Sequence, residues 1–171
     1  LTVNIRNADL SYAFPHEPIA SHALFRDITD SAGVHYRHEQ KDFIDFNIQK
    51  LLPHKFSEYG PAIAVGDIDG NGLEDMVVGG SSSHSAQLFL QQPGGRFIQK
   101  ALWPDSVARH KAGDDEGIIL LDADGDGYPD LYIASGGYSN EHNSPAYKDC
   151  LYVNDGKGNF QLAQTALPDL S

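Results

Sequence analysis

Two short windows hold the side chains best suited to chemistry: Asp67-x-Asp69-x-Asn71-x-Leu73-x-Asp75 and Asp122-x-Asp124-x-Asp126-x-Tyr128-x-Asp130. Side-chain oxygens at the first, third, fifth and ninth places, with the main-chain carbonyl of Leu73 or Tyr128 at the seventh, can wrap a cation that takes six or more oxygen ligands. Ca²⁺ is such a cation and four-coordinate Zn²⁺ is not. Glycines at the fourth and sixth places (Gly70 and Gly72; Gly125 and Gly127) supply the left-handed backbone that so tight a winding needs. Two carboxylates about 4 Å apart repel by about 1 kcal/mol in water and about 4 kcal/mol at an effective dielectric of 20. Gathering three or four of them without a counter-ion is costly, so the expectation is one Ca²⁺ per loop. An EF-hand fits less well, because its loop ends on a bidentate Glu at the twelfth place, where this chain has Val78 and Ile133. The plain alternative is a pair of Asp/Gly turns that only join strands; the recurrence of one spacing at one repeat phase argues against it.

The elements that must position these loops also repeat. Val65 to Val78 is echoed 55 residues later by Leu120 to Ile133, and Gln87 to Phe97 is echoed 63 residues later by Cys150 to Phe160. The second copy therefore carries about eight extra residues, in the polar stretch from Tyr138 to Lys148, as expected of a loop that varies over a fixed scaffold. Each copy reads as four strands. An apolar run (Ala62 to Val65; Ile118 to Leu121) enters the Asp loop and a second (Met76 to Val78; Leu131 to Ala134) leaves it. A third (Leu88 to Leu90; Leu151 to Val153) turns through glycine into a fourth that starts at Phe97 or Phe160. The first two runs scarcely alternate, which predicts protein on both of their faces. Four-stranded antiparallel sheets stacked face to face are β-propeller blades. The expected fold is all-β: about two blades preceded by an extra lead-in strand at Phe25 to Thr29, a fragment of a larger ring, since closure takes about four to eight blades. The boundaries follow as residues 1–23 for an N-terminal extension, 24–57 for the lead-in strand and connection, 58–108 for the first blade and 109–171 for the second. Residues 41–52 suit helix and strand equally and carry no assignment.

These residues resemble the FG-GAP/VCBS-type calcium-binding propeller repeats, in the version associated with ASPIC/UnbV proteins. Tyr59-Gly60 stands where that repeat has Phe-Gly, Asp67 to Asp75 is its metal loop, and Gly79-Gly80-Ser81 stands near its Gly-Ala-Pro. Phe25 to Thr29 with Ala32-Gly33-Val34 looks like the family's lead-in, so the resemblance covers roughly residues 24 to 167. The second copy departs from the pattern, with Glu116-Gly117 for the aromatic-Gly pair and Gly136-Gly137 two places late. The resemblance implies a secreted, periplasmic or cell-surface protein serving as a non-enzymatic binding or adhesion scaffold for protein or glycan, with the remaining blades of the same polypeptide as partners.

Composition limits the other classes. With 12 Lys+Arg against 24 Asp+Glu the net charge is −12, which argues against nucleic acid or an anionic membrane as the main partner. Of the acidic residues 18 are Asp, and seven of those lie in the two windows, so the acidity belongs largely to loops. No apolar run is long enough for a membrane span. The single cysteine, Cys150, excludes an internal disulfide framework. The chain opens at Leu1 without an initiator Met, which reads as a processed or excised piece.

Other constellations have bland readings. His35-x-x-His38, with His54, His84 and His142 beyond, could suggest a transition-metal site, but on a strand residues three apart face opposite sides, which favours solvated or hydrogen-bonded imidazoles. Ser81-Ser82-Ser83-His84 lacks the Gly-x-Ser-x-Gly elbow of a nucleophile and reads as a polar connection. Asp114-Asp115-Glu116 could add ligands or attraction for a cation, but such a triplet is more often simply solvated. Trp103, Tyr138 and Tyr147 could stack on sugar rings, although isolated loop aromatics are usually packing. The competing class is a carbohydrate-active enzyme, such as a calcium-assisted polysaccharide lyase or hydrolase, which would need a cleft with acid, base or cationic groups beyond the metal ligands. No spacing in the chain shows one.

Overall fold

The computed structural model describes residues 24–168; the extension expected over 1–23 lies outside them. Among the described residues eight strands form two antiparallel sheets. The first contains β1 (Ile63–Gly66), β2 (Asp75–Val78), β3 (Gln87–Gln92) and β4 (Arg96–Ala101). The second contains β5 (Asp114–Leu121), β6 (Asp130–Gly136), β7 (Cys150–Asn154) and β8 (Phe160–Leu162). Each sheet keeps its strands in chain order, the up-and-down meander of a propeller blade.

Directly opposed residues share a sheet face, so the pairing register gives the layers. Ala64 opposes Val77, which opposes Leu88; in the second sheet Leu120 opposes Leu131, which opposes Tyr152. These two rows meet. Val77, Leu88, Leu131, Ile133 and Tyr152 form one buried cluster with Ile68, and Ile118 and Leu120 pack against it. The core therefore lies between the blades.

Coverage on both faces holds for β2, where neighbouring Val77 and Val78 are both buried. It does not hold for β1 and β5. Ile63, Val65 and Ile119 are 56%, 58% and 57% exposed, and Leu121 is exposed too. An apolar run shows that a face can be covered without showing that a neighbour covers it.

The lead-in strand is also corrected. Residues 24–28 form no strand, Leu24 and Phe25 are exposed, and the chain makes a single helical turn, α1 (Thr29–Ala32). Local side chains decide this: the Asp27 carboxylate accepts the Thr29 amide (2.9 Å), and Gly33, at φ 73°, ends the turn in the left-handed conformation. Residues 41–52 settle as neither option. A 3₁₀ turn spans Asp45–Asn47, and the buried Asp45 carboxylate accepts the Phe56 and Ser57 amides. Between the blades lies a second short turn, α2 (Asp105–Ala108).

The supposed solvated triplet belongs to β5, which begins four residues earlier than the apolar run suggests. Asp115 is buried, pairs with Lys111 (2.8 Å) and accepts the Gly80 amide (2.7 Å), while Asp114 accepts the Ser82 amide (2.7 Å). The two aspartates thus tie the second sheet to the β2–β3 connection of the first. The register shift between Asp115 and Gly117 accommodates the extra residue.

Candidate metal centre

Each Asp loop joins the first strand of its sheet to the second, and the two are wired alike. Asp67 accepts the Gly70 (2.9 Å), Asn71 (3.1 Å) and Gly72 (2.8 Å) amides; Asp122 accepts those of Gly125 (2.8 Å) and Gly127 (3.1 Å). The chain can wind so tightly around one carboxylate because Gly70, Gly72, Gly125 and Gly127 sit at φ 74°, 81°, 82° and 91°. At the third place Asp69 accepts the Asn71 amide and Asp124 that of Asp126. At the fifth, Asn71 accepts the Leu73 amide (2.7 Å) and Asp126 the Tyr128 amide (2.9 Å).

The ninth place does different work. Asp75 and Asp130 are fully buried, and both oxygens of each are held by backbone amides: Ile68 and Gln91 for Asp75, Ala123 and Asn154 for Asp130. These carboxylates clamp the start of the loop to the third strand of the same blade. Removal from water raises the Asp75 pKa, and the charges of Asp69 and Asp67 raise it further, against the pull of the two amide hydrogen bonds. A carboxylate pushed toward protonation by burial, and further by neighbouring carboxylates, is a group that a bound cation would relieve.

Carboxylate oxygens of Asp67, Asp69 and Asp75 lie within 4.8 Å of one another, as do those of Asp122, Asp124 and Asp130. Two oxygens on one Ca²⁺ are at most about 5 Å apart, twice a Ca–O bond of about 2.5 Å. Three ligands of each loop are therefore close enough to share one ion. Asp126 lies outside its group although it is a carboxylate. Leu73 and Tyr128 stand at the seventh place, where the expected ligand is a main-chain oxygen.

Two residues essential to the arrangement escape the loop motif. Gln91 and Asn154 occupy equivalent places at the ends of β3 and β7, and their amides hold Asp75 and Asp130. Asn154 is buried, and its side-chain amide donates to the Pro129 carbonyl (3.0 Å) and, across to the other blade, to the Ile68 carbonyl (2.8 Å). The only sequence signal was their common offset of 63 in the second repeat block. Tyr128 adds a further bridge. Its ring fills the space beside Gly156, where a Cβ would come within 2.7 Å of it, and lies near Gly70 of the first loop.

Several of the remaining candidates find structural partners. Ser81 is 1% exposed and its hydroxyl donates to the Glu39 carbonyl (2.6 Å). His84 Nδ1 lies 3.2 Å from Ser81 Oγ and 3.0 Å from the Ser82 carbonyl, while Nε2 faces the Glu39 carboxylate. A carbonyl only accepts, so a Nδ1–H bonded to Ser82 cannot take a proton from Ser81. The three groups assemble a polar corner that fixes the 34–40 segment to the first blade. His38 Nδ1 bonds the Tyr36 hydroxyl (2.9 Å), and Tyr36 packs edge-on against Phe89. Tyr138 and Tyr147 line one hollow together with Phe43, whereas Trp103 lies elsewhere, edge-on to Tyr152.

Among the described residues no helix is long and apolar enough to cross a membrane. No curated protein and no protein of known structure matches the chain. Residues 67–133 match the family model of the FG-GAP-like repeat, a span that opens on the first aspartate of the first loop, takes in the whole of the second and ends in β6.

Proposed function

We propose that the chain is a calcium-binding, non-enzymatic propeller module, with one Ca²⁺ on Asp67, Asp69 and Asp75 and another on Asp122, Asp124 and Asp130. The observation that carries this reading is the doubled carboxylate group, three oxygens within one ion's reach in each loop and wired by the same hydrogen bonds. Asn71, Asp126 and the carbonyls of Leu73 and Tyr128 complete the shells. The ions serve as rigid pins at the β1–β2 and β5–β6 turns, and the connections at the blade ends serve as the contact surface for a protein or glycan. The hollow holding Tyr138 and Tyr147 offers a sugar two aromatic rings beside polar Asn140. The VCBS-like repeat type, an extracellular or surface location and an adhesive role belong to this proposal.

Calorimetric titration with Ca²⁺ and with Mg²⁺ tests the metal half. Two Ca²⁺ per chain, with Mg²⁺ much weaker, are expected; no calcium heat together with an unchanged melting midpoint in chelator overturns it. A glycan and polysaccharide array read for both binding and turnover tests the other half. Saturable binding without product formation is expected, and cleavage of a polysaccharide would replace the scaffold by an enzyme.

A further inference from the structure

One buried line of hydrogen bonds joins the ninth-place carboxylates of the two loops. Asp75 Oδ2 accepts the Ile68 amide (2.9 Å), the Ile68 carbonyl accepts Asn154 Nδ2 (2.8 Å), and the Asn154 amide donates to Asp130 Oδ1 (2.9 Å). Only Ile68 and Asn154 stand between a candidate ligand of the first loop and a candidate ligand of the second. The Asn154 side chain is held at its remaining points as well. Nδ2 also donates to the Pro129 carbonyl (3.0 Å), and Oδ1 accepts the Gly156 amide (3.2 Å). A side-chain amide has two N–H donors and one oxygen, and all are engaged, so Asn154 cannot turn without breaking a bond to one of the loops.

A second contact runs beside the first. Tyr128, at the seventh place of the second loop, packs its ring against Gly156, and a Cβ on Gly70 of the first loop would lie 3.6 Å from that ring and 3.5 Å from the Gly156 carbonyl oxygen. The Gly70 amide is itself held by Asp67 (2.9 Å). Each contact therefore starts at a second-loop residue placed to ligate and ends on first-loop backbone that a ligand carboxylate fixes. The repeat alone does not supply this. At the equivalent place in the first blade Gln91 holds Asp75 through its main-chain amide, and among the described residues its side chain bonds no other loop.

From this line of bonds we infer that the two centres form one cooperative unit, with Asn154 as the positioning residue through which occupation of either loop strengthens binding at the other. The inference rests on the calcium reading proposed above. With Asp130 committed to an ion, its grip on the Asn154 amide is fixed; Asn154 then holds the Ile68 carbonyl and so orders the residue whose amide Asp75 keeps. The first loop has less freedom left to lose when its own ion arrives. Linkage makes the effect reciprocal, so each site helps the other by the same factor.

Site-resolved calcium titration of the full chain, of Asp69→Ala and of Asp124→Ala tests this, since each variant blocks one loop and touches neither Asn154 nor Ile68. The site left intact should bind about fivefold more weakly in either variant than in the unaltered chain. Asn154→Ala on the same backgrounds should bring that factor to about one. A residue that only stabilised the fold would weaken both sites and leave the factor unchanged. Hydrogen exchange gives a readout apart from affinity: in Asp124→Ala, calcium at the first loop should slow exchange of the Asn154 amide, in the other blade, by roughly fivefold or more. Calcium at both loops, with each Kd indifferent to the other loop, overturns the coupling and leaves the calcium reading standing; no calcium at either loop overturns both. A factor that survives Asn154→Ala overturns the role of Asn154. The two ligand variants and the exchange measurement decide the coupling even if Asn154→Ala fails to fold.

Discussion

The two Asp loops share almost every hydrogen bond and differ in their surroundings. In the first loop Ile68 is buried in the core between the blades, its carbonyl held by Asn154 of the second blade, and Asp67 and Asp69 are half-buried. In the second loop the equivalent Ala123 is exposed, as are Asp122 and Asp124. The internal wiring comes from each repeat; the burial comes from a neighbour. A loop in a stacked array is thus completed by the blade that follows it, and the ion held there should be sensitive to residues far away in sequence.

Removing calcium tests what the loops have in common and has the largest expected effect. Binding to the folded state alone contributes about 2.7 kcal/mol per site at a hundredfold excess over Kd, so chelation of both sites should cost about 5 kcal/mol. Thermal melts in calcium and in chelator measure it, and a midpoint that does not move would end the stabilising role.

Next comes the clamp at the ninth place, which separates the loops. Asp75→Ala leaves the buried amide of Ile68 and the half-buried amide of Gln91 without partners, at about 1–3 kcal/mol each. A loss of about 4 kcal/mol is expected in chelator. Asp130→Ala orphans the buried amide of Asn154 together with the amide of Ala123 beside solvent, which water can satisfy, so its loss should be smaller by no more than about 1 kcal/mol. Denaturant melts of both variants without calcium read the difference, and equal losses would show that the neighbouring blade adds nothing.

Asn154→Ala probes the bridge itself. It removes the hydrogen bonds to Ile68 and Pro129 and should cost about 2 kcal/mol. Because Asn154 belongs to the second blade, its side chain should also matter to calcium at the first loop, 86 residues away at Ile68. A severalfold weaker first site is expected by site-resolved titration. If only the second site weakens, the loops are independent.

What the sequence made legible follows from range. Ligand spacing, loop glycines and the strand order are short-range and repeat, so Asp67 to Asp75 and Asp122 to Asp130 appear where the pattern puts them, between first and second strands. Phe25 to Thr29 misled because its strand-like composition competes with an Asp27 side-chain turn and a Gly33 stop that only local geometry reveals. Asn154 was invisible as a site residue because its partner Ile68 is distant in the chain and its type is ordinary for a strand end. Asp114-Asp115-Glu116 was misjudged for a related reason: a carboxylate reads as solvated until Lys111 and the Gly80 amide are placed against it. The exposure of Ile63 and Ile119 depends on neighbours that a run of apolar residues does not specify.

Asp126→Asn is the smallest expected effect and the sharpest test of the comparison. By charge count the second loop, with four carboxylates against three plus Asn71, should hold Ca²⁺ more tightly, and Pro129 stiffens it further. The geometry weakens the charge argument. Asp126 lies outside the group of three that converges, and its Oδ1 accepts the Tyr128 amide as Asn71 Oδ1 accepts that of Leu73. An asparagine would keep that hydrogen bond. With three converging carboxylates in each loop, burial is left to rank the sites, and the half-buried first loop, where ion and carboxylate meet at a lower effective dielectric, should bind more tightly. Asp126→Asn should then change the second site's Kd by less than about threefold and leave the order of the two sites intact. A tenfold loss at the second site would mean that the charge of Asp126 matters to the ion, and charge count would then rank the loops instead of burial.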